Sequence, residues 1–194
     1  MPARNFMTIG AVIALLALPA EAAAPARTAP AWTVDKSQSR LGFTGTYDGT
    51  PFTGQFGAWD ARILFDPADL GASMADVTIE TGSASTGDPD HDEHLPGPSW
   101  FSVKVFPQAS FRTESISATG PDAYVAQGAL TIRGVTQPVS LPFTLAIAGD
   151  IATMSGKLTL DRTAFGLGAG AYGGGDMVAP EVTVNVELTA RREG

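Results

Sequence analysis

The sequence predicts an all-β protein whose strands pair antiparallel and carry one apolar and one polar face. Hydrophobic residues recur at every second position in segment after segment, which is the period of a strand and not of a helix. Short turn signals rich in Asp, Gly and Pro separate these segments. We therefore expect about eight or nine strands, which either stack as a sandwich or close into a barrel.

The alternation begins at Leu41 and ends at Leu188. Turn signals stand between the segments, for example at residues 48–51 and 120–122. The predicted strands cover residues 41–47, 52–58, 63–65, 77–79, 124–132, 139–147, 154–160 and 182–188.

Residues 88–106 break this alternation. Asp90 and Glu93 have capping-box spacing and predict a short helical turn, which Pro96 would end. A dense apolar and aromatic cluster follows at residues 100–106. On a barrel, we expect that cluster to plug or rim one end.

The composition excludes several classes of function. An apolar fraction of 44% with only 16% charged residues is too hydrophobic for a disordered chain. A net charge of −8, with few and scattered basic residues, argues against a nucleic-acid partner. The absence of cysteine excludes disulfides, thiolate metal sites and thiol nucleophiles.

The N-terminus has the pattern of a secretory signal peptide. The apolar run at residues 6–18 is too short to span a bilayer, and Ala20 and Ala22 form a small-x-small exit. We predict a signal peptide over residues 1–22 and a flexible leader over 23–31, with an uncleaved anchor as the alternative. The mature protein is then periplasmic.

His91 and His94 are the only histidines of the chain, and acidic residues surround them. Two histidines three residues apart with nearby carboxylates could bind a divalent metal. The alternative is an exposed acidic turn with capping carboxylates. We favour the turn and assign no metal, because no regular element places a third ligand.

The remaining motifs do not indicate an enzyme. Residues 168–173 match GxGxxG, but a dinucleotide fingerprint needs a strand before it and a helix after it. The Gly-Gly-Asp that follows cannot start a stable helix, so we expect a glycine-rich connection. No G-x-S-x-G elbow is present, and no catalytic residue is assigned.

The inward face of the predicted strands mixes large aromatic residues with small ones. A tunnel that holds a hydrophobic ligand would leave room beside the aromatic residues, and this is a default lipid site. The alternative is a solid core in which glycines mark bulges and corners, and composition alone favours that alternative. The small inward positions are Gly45, Gly54, Ala58, Ala126, Gly128 and Gly156.

The run Leu-Thr-Ile-Arg-Gly-Val-Thr-Gln-Pro-Val-Ser-Leu at residues 130–141 resembles the signature of the YceI-like family of periplasmic proteins. Shorter segments also resemble the family, each weakly, and they follow one another in the family's order along residues 32–190. They are residues 32–35, 65–67, 100–101, 106–107, 111 and 162–168. The resemblance implies an extended antiparallel β-barrel of about eight strands, lipocalin-like, with a short helical or loop segment near 90–106. It also implies one domain over residues 32–190 and a tail over 191–194.

Members of that family hold a long isoprenoid chain in the lumen, so the resemblance implies a periplasmic binding or carrier protein for a polyprenyl or quinone tail. Residues 45–52 (Gly-Thr-Tyr-Asp-Gly-Thr-Pro-Phe) resemble the subgroup associated with b-type cytochromes of the inner membrane. The resemblance of this segment favours a quinone over a diphosphate as the head group of the lipid. The alternative function is an accessory subunit that docks on such a cytochrome. We expect no cofactor besides the bound lipid, and the oligomeric state stays open, a homodimer included.

The predicted site consists of inward apolar residues and two arginines. Arg133 and Arg162 are the candidates for a head-group contact, and the alternative is an outward arginine on a solvated strand. We expect Trp100, Phe101 and Phe106 to close one end, and Phe165 to lie near the glycine-rich rim. The predicted lumen residues are Phe43, Phe52, Phe56, Leu130, Ile132, Phe143, Leu158 and Val184.

Overall fold

The computed structural model describes residues 28–173, 175 and 177–194. The predicted signal peptide and the first part of the predicted leader lie outside these residues. The strands of the described part are β1 (Ala31–Val34), β2 (Arg40–Tyr47), β3 (Thr50–Phe56), β4 (Trp59–Leu64), β5 (Met74–Glu80), β6 (Ala84–Ser85), β7 (Gln108–Gly120), β8 (Ala123–Ile132), β9 (Val135–Ala148), β10 (Ile151–Asp161) and β11 (Glu181–Arg192). The same residues contain the α-helix α1 (Pro89–His94) and short 3-10 helices at Lys36–Gln38, Leu70–Ala72, Thr81–Ser83, Arg162–Phe165 and Gly170–Tyr172.

The strands form one antiparallel sheet that closes on itself. Each position around the barrel is occupied by one long strand or by two consecutive short strands, and we call each such position an arm. The arms made of two short strands are β1 with β2, β3 with β4, and β5 with β6. Each arm pairs with the next along the chain, and β11 pairs back with both β1 and β2. The result is an eight-arm antiparallel barrel. This confirms the predicted fold class and excludes the sandwich.

The barrel is slightly longer than predicted at both chain ends. Strand β1 already begins at Ala31, and the amide of Phe65 donates to the carbonyl of Pro30 at 2.9 Å. At the other end, Arg191 and Arg192 pair with β1 as part of β11. The last residues of the predicted leader and the first two of the predicted tail therefore belong to the sheet.

Strand β7 was not predicted, and a register shift explains why. Ala109 and Phe111 face inward at odd positions, but the pairing with β8 shifts between Thr113 and Ser115. After this β-bulge the inward residue is Ile116, at an even position. The period of two is lost in the sequence, although the strand continues.

The helical turn predicted after Asp88 is confirmed as α1, but its cap differs from the prediction. The side chain of Asp88 accepts from the amide of Asp90 at 2.9 Å, and Pro89 is the first helical residue. Asp90 thus lies inside the helix and does not cap it. With 6 residues, α1 is far shorter than the about 20 that a membrane span needs. The described part of the chain contains no helix that reaches that length and hydropathy.

Two ends of the barrel can be told apart by their packing. At one, the Trp32 end, the indole donates to the carbonyl of Phe65 at 3.0 Å, within a cluster that includes Ala152 and Ala190. At the other, the α1 end, the helix and the 99–106 loop meet the connection between β10 and β11. Its buried cluster consists of Phe101, Leu130, Phe165 and Leu167.

Candidate functional site

The barrel encloses an apolar cavity of about 720 Å³. It runs from Trp32 and Phe65 at the Trp32 end to His91 and Arg162 at the α1 end. This volume lies within the range of about 300–1,000 Å³ that is usual for small-molecule sites. The interior is hollow, which decides against the solid core that composition alone favoured.

The burial pattern of the inward side chains agrees with a hollow interior. Along β9, the lumen-facing residues Leu141, Phe143 and Leu145 are only half-buried, although a closed wall surrounds them. In a filled core such side chains would be close-packed and almost fully buried. Their exposed fraction therefore reports contact with the cavity and not with the outside of the barrel.

The inward glycines have a different use from the one predicted. A Cβ at Gly45 would lie 2.7 Å from the ring of Phe52, and one at Gly54 would lie 2.7 Å from a ring carbon of Phe43. Each glycine thus lets an aromatic ring lie against the barrel wall. Ala58, also predicted to face inward, is exposed in the break between β3 and β4.

Most of the predicted lumen residues and one of the two head-group candidates line the cavity. The three that do not are Phe106, Phe165 and Arg133. Whether the lining residues contact a ligand stays a prediction. The predicted residues found in the lining are Phe43, Phe52, Phe56, Trp100, Phe101, Leu130, Ile132, Phe143, Leu158, Val184 and Arg162.

Phe165 and Phe106 are packing residues outside the lumen. Phe165 is 2% exposed and belongs to the buried cluster at the α1 end. The ring of Phe106 covers Gly134 in the turn between β8 and β9, where a Cβ would lie 3.1 Å from a ring carbon. Phe101 does fill part of that end, with its ring centroid 5.7 Å from that of Phe56.

Arg133 does not reach the cavity. Its guanidinium donates to the carbonyl of Pro98 at 2.8 Å and to that of Trp100. Gly134 follows with a φ of 73°, so the turn itself needs a left-handed residue there. Arg133 therefore fastens residues 98–100 to the β8–β9 turn.

Arg162 does line the cavity, and it is 1% exposed. Burial lowers its pKa, and the adjacent Asp161 opposes that shift. The guanidinium nevertheless stays protonated at neutral pH. It lies 5.3 Å from the ring centroid of Trp100. Its N–H groups donate at 2.5–3.0 Å to four backbone carbonyls of the β10–β11 connection, those of Leu167, Tyr172, Val178 and Ala179.

This network explains the glycine-rich segment that matched GxGxxG. Gly168 has a φ of 77° and lies so close to the guanidinium of Arg162 that a Cβ there would collide with it. The segment wraps around the arginine and contains the 3-10 helix Gly170–Tyr172. It is a connection, as predicted, and no α-helix follows it within the described residues.

Helix α1 covers the cavity at its polar end. The ring of His91 lies 5.3 Å from that of Tyr47 and 5.5 Å from that of Phe52, centroid to centroid. His91 is half-buried between these rings and His94 is exposed. Among residues 28–173, 175 and 177–194, no three metal-ligating side chains converge.

Asp92 ties this helix to β6. Its carboxylate accepts from the hydroxyl of Ser85 at 2.6 Å, from the amide and hydroxyl of Thr86 and from the amide of Gly87. These bonds, that of Ser85 first, lower the pKa of Asp92 to about 2. The carboxylate thus fixes the position of α1 over the cavity.

Sequence reasoning missed several residues of the lining. Tyr47 shares the parity of Phe43 and could have been found from it. Phe65 shares the parity of Ile63 in the predicted strand 63–65 and could also have been found from it. Trp32 gave no parity signal because β1 is only 4 residues long. Tyr172 stands in the glycine-rich connection, where alternation does not apply.

The closed antiparallel barrel and its apolar cavity define the chain as a hollow β-barrel whose cavity has the size of a small-molecule site. A family model described as the YceI-like domain matches residues 32–190. The chain belongs to this family.

Relatives and solved structures agree with that assignment. A UPF0312 protein of Yersinia pestis is 36% identical over 110 residues, which cover 57% of this chain and 54% of that protein. The match therefore spans about half the length of this relative. BcnA of Burkholderia cenocepacia is 33% identical, with a TM-score of 0.78 over 80% of this chain and 98% of its own. A polyisoprenoid-binding domain from Saccharophagus degradans, implicated in plant cell wall breakdown, shares the fold at 14% identity, with a TM-score of 0.66 over 84% of this chain and 99% of that domain.

Proposed function

We propose that this protein binds an isoprenoid lipid, with a polyprenyl or quinone tail, in the barrel lumen and carries it in the periplasm. The observation that carries the proposal is the continuous apolar cavity of about 720 Å³ between the two ends of the barrel. The name of the Saccharophagus degradans domain, a polyisoprenoid-binding domain of the same fold, supports the choice of ligand.

The chemistry of the lining suits a long hydrocarbon. Burying apolar groups contributes about 0.8 kcal/mol per CH₂, so a chain of several isoprene units binds without a strong polar anchor. The inward aliphatic side chains of β9 to β11 offer continuous apolar surface, and their half-buried state marks area that a ligand would cover.

The difference in polarity between the two ends of the cavity supports one direction for the ligand. The Trp32 end is apolar, with Phe65 and Tyr124 rings packed edge to face. The charged lining residues, Asp88, Asp90 and Arg162, are all at the α1 end among the described residues. We therefore place the tail toward the Trp32 end and the head group toward α1.

Binding accounts for the polar groups better than catalysis does. The side chain of His91 packs between two aromatic rings, and that of Arg162 holds backbone carbonyls. The alternative function is an accessory subunit that docks on an inner-membrane b-type cytochrome. It rests on the resemblance of residues 45–52 to the cytochrome-associated subgroup and does not require a ligand in the lumen.

The test is to purify the protein from the periplasm of its own host and to identify extracted lipid by mass spectrometry. We expect a stoichiometric isoprenoid lipid, and we expect added ubiquinone to raise the Tm of protein from which lipid has been removed. An empty lumen together with no Tm response would contradict the carrier function. Co-purification of a cytochrome with an empty lumen would favour the accessory subunit.

A further inference from the structure

We infer that one side of the α1 end is a docking surface for an anionic phospholipid bilayer. This surface, which we call the docking sector, consists of residues 102–106 and the β8–β9 turn at residues 133–135. The inference rests on the proposed function, because a bilayer is where a carrier takes up or releases an isoprenoid lipid. Three features carry it: exposed apolar side chains, a wall without carboxylates, and a strand edge that is closed to other strands.

The exposed large hydrophobic side chains of the described residues all lie at the α1 end. They are Val105, Val135 and Met177, with exposed fractions of 66%, 38% and 46%. Single exposed hydrophobic residues are common on proteins, but these three share the end at which the cavity borders exposed residues such as Asp88 and His94. Buried aromatic side chains cover the opposite end. A bilayer that contacts the three residues therefore also meets the open end of the cavity.

Backbone hydrogen bonds fix Val105 at the tip of a turn. The amides of Val105 and Phe106 donate to the carbonyl of Ser102 at 2.8 and 2.9 Å. The ring of Phe106 packs on Gly134, where a Cβ would lie 3.1 Å from a ring carbon. Val105 and Val135 are the chain neighbours of these two residues, so they belong to one packed unit. The docking sector thus has its shape before it meets a partner.

The wall around the docking sector carries no carboxylate of its own. Residues 95–113 and 123–149 contain no Asp or Glu, although the chain has 20 acidic residues and a net charge of −8. These two ranges include the first half of β7 and the whole of β8 and β9. The charged residues of the docking sector itself are Lys104 and Arg133. An acidic protein therefore has one side whose charge complements an anionic lipid surface.

The nearest carboxylates lie at the border of this wall or beyond it. On β5, Asp76 lies 3.4 Å from the guanidinium of Arg112, and Glu80 accepts from the side-chain amide of Gln108 at 2.7 Å. The carboxylates of α1 lie across the rim, because that helix packs on the β2–β3 hairpin. The Debye length is about 8 Å at physiological ionic strength, so the local charges outweigh the net charge at the point of contact.

One edge of β9 beside the docking sector is not paired with a strand. The pairing between β9 and β10 stops at Phe143 and Gly156, although β9 continues to Val135 in its pairing with β8. Side-chain packing closes the wall there, because Val139 and Leu160 both pack against the buried cluster at the α1 end. An unpaired edge is usually a template for a strand of another protein.

Two prolines close this edge to such a strand. Residues 133 and 134 form a two-residue turn with positive φ at both positions, so Ile132 and Val135 are the pair that exchanges hydrogen bonds. The even-numbered residues of β9 then direct their amide positions away from β8. Pro138 and Pro142 are two of these residues and have no N–H to donate. This favours a lipid surface over strand addition by a protein partner.

The test is co-sedimentation of the protein, purified from the periplasm, with protein-free vesicles of phosphatidylethanolamine and phosphatidylglycerol. We expect binding that weakens as salt is raised. Val105→Asp should weaken it at least about ten-fold, because it removes an apolar contact and adds a repulsive charge. Lys104→Gln should weaken it about five-fold. Ala148→Asp is the matched control, because it adds the same charge at an exposed position at the Trp32 end of β9.

The same variants test the link to lipid exchange. The transfer of ubiquinone from vesicles to lipid-free protein should slow in Val105→Asp and not in Ala148→Asp. The affinity for a short-tailed quinone added in solution should not change in either variant, because neither residue lines the cavity.

The outcomes separate this inference from the proposed function. Isoprenoid binding without vesicle binding would overturn the docking sector and keep the carrier function, and so would equal losses in Val105→Asp and Ala148→Asp. Binding only to native inner-membrane vesicles, and not to protein-free ones, would overturn the inference in favour of a protein partner. Vesicle binding by a protein that takes up no isoprenoid would overturn the proposed function and keep the docking sector.

Discussion

The ring of Phe43 on β2 lies over Gly54, its direct partner on β3. Two residues along, the relationship is reversed, and Phe52 on β3 lies over Gly45 on β2. A glycine opposite an aromatic residue lets the ring cover the backbone of the neighbouring strand. Both rings therefore lie along the wall of the barrel and leave its lumen open.

Gly54→Ala should push the ring of Phe43 into the cavity. The added Cβ would lie 2.7 Å from Cε2 of the ring, and the lumen is the open side toward which the ring can move. We expect a loss of about 1–2 kcal/mol in the free energy of unfolding, measured in urea, and a larger loss of isoprenoid affinity. Gly57→Ala is the control, because its Cβ would meet no atom closer than 3.8 Å. Equal effects of the two substitutions would contradict this account.

The alternation of the sequence was sufficient to predict an antiparallel sheet of about eight strands, because period two with one apolar face recurs in the segments that form β2 to β5 and β8 to β11. It failed at β7, where the bulge after Thr113 moves the inward positions from odd to even numbers. It also misjudged Gly54, since a single strand does not show which ring lies across from a glycine. Pairing between strands supplies that information.

The candidate site was predictable only where it follows strand parity. Phe43, Leu130 and Val184 were found in this way. Arg162 was proposed from the resemblance, but its four carbonyl partners come from a connection without periodicity. The helix cap at Asp88 was missed because Asp88 and Asp90 are both acidic residues that can cap a helix, and the sequence analysis chose Asp90 for its spacing to Glu93.

Arg162→Met should destabilise the α1 end of the barrel strongly. The substitution leaves four backbone carbonyls without their donor in a site that is 1% exposed. We expect a loss of at least about 3 kcal/mol in urea unfolding, and faster amide hydrogen exchange at Leu167 and Gly168. The stability of Arg162→Lys should lie between that of the unaltered protein and that of Arg162→Met. An ammonium has three N–H donors, but it lacks the planar fork of a guanidinium.

Arg40→Met is the control for this prediction, because Arg40 is an exposed residue of β2. It should change stability by less than about 0.5 kcal/mol. A similarly small effect of Arg162→Met would show that the connection holds its shape without the guanidinium.

Asp92→Asn should remove a stabilising contribution that depends on pH. Hydrogen bonds from Ser85, Thr86 and Gly87 lower the pKa of Asp92 in the folded protein from its ordinary 3.8 to about 2. A depressed carboxyl pKa stabilises the fold above the unfolded value and loses that effect as the pH falls through the folded one. The stability of the unaltered protein should therefore decline between about pH 4 and pH 2 more steeply than that of the variant.

The measurement is urea unfolding at a series of pH values, with Glu93→Gln as the control on the same helix. At pH 7, Asp92→Asn should already be less stable, because an amide cannot accept the same four bonds. Parallel curves for the variant and the unaltered protein below pH 4 would contradict the assignment.

Filling the lumen should abolish ligand binding without opening the barrel. Ala126 is 5% exposed, lines the cavity and pairs with Ile116 and Leu141 on the two neighbouring strands. Ala126→Phe places a ring in the middle of the cavity, at a cost of about 1–3 kcal/mol for overpacking, while the adjacent Gln127→Phe places the same ring on the exposed face. We expect only the inward variant to lose the isoprenoid in extraction and calorimetry, with an unchanged circular dichroism spectrum. Retention of the lipid by a folded Ala126→Phe variant would show that the ligand lies elsewhere.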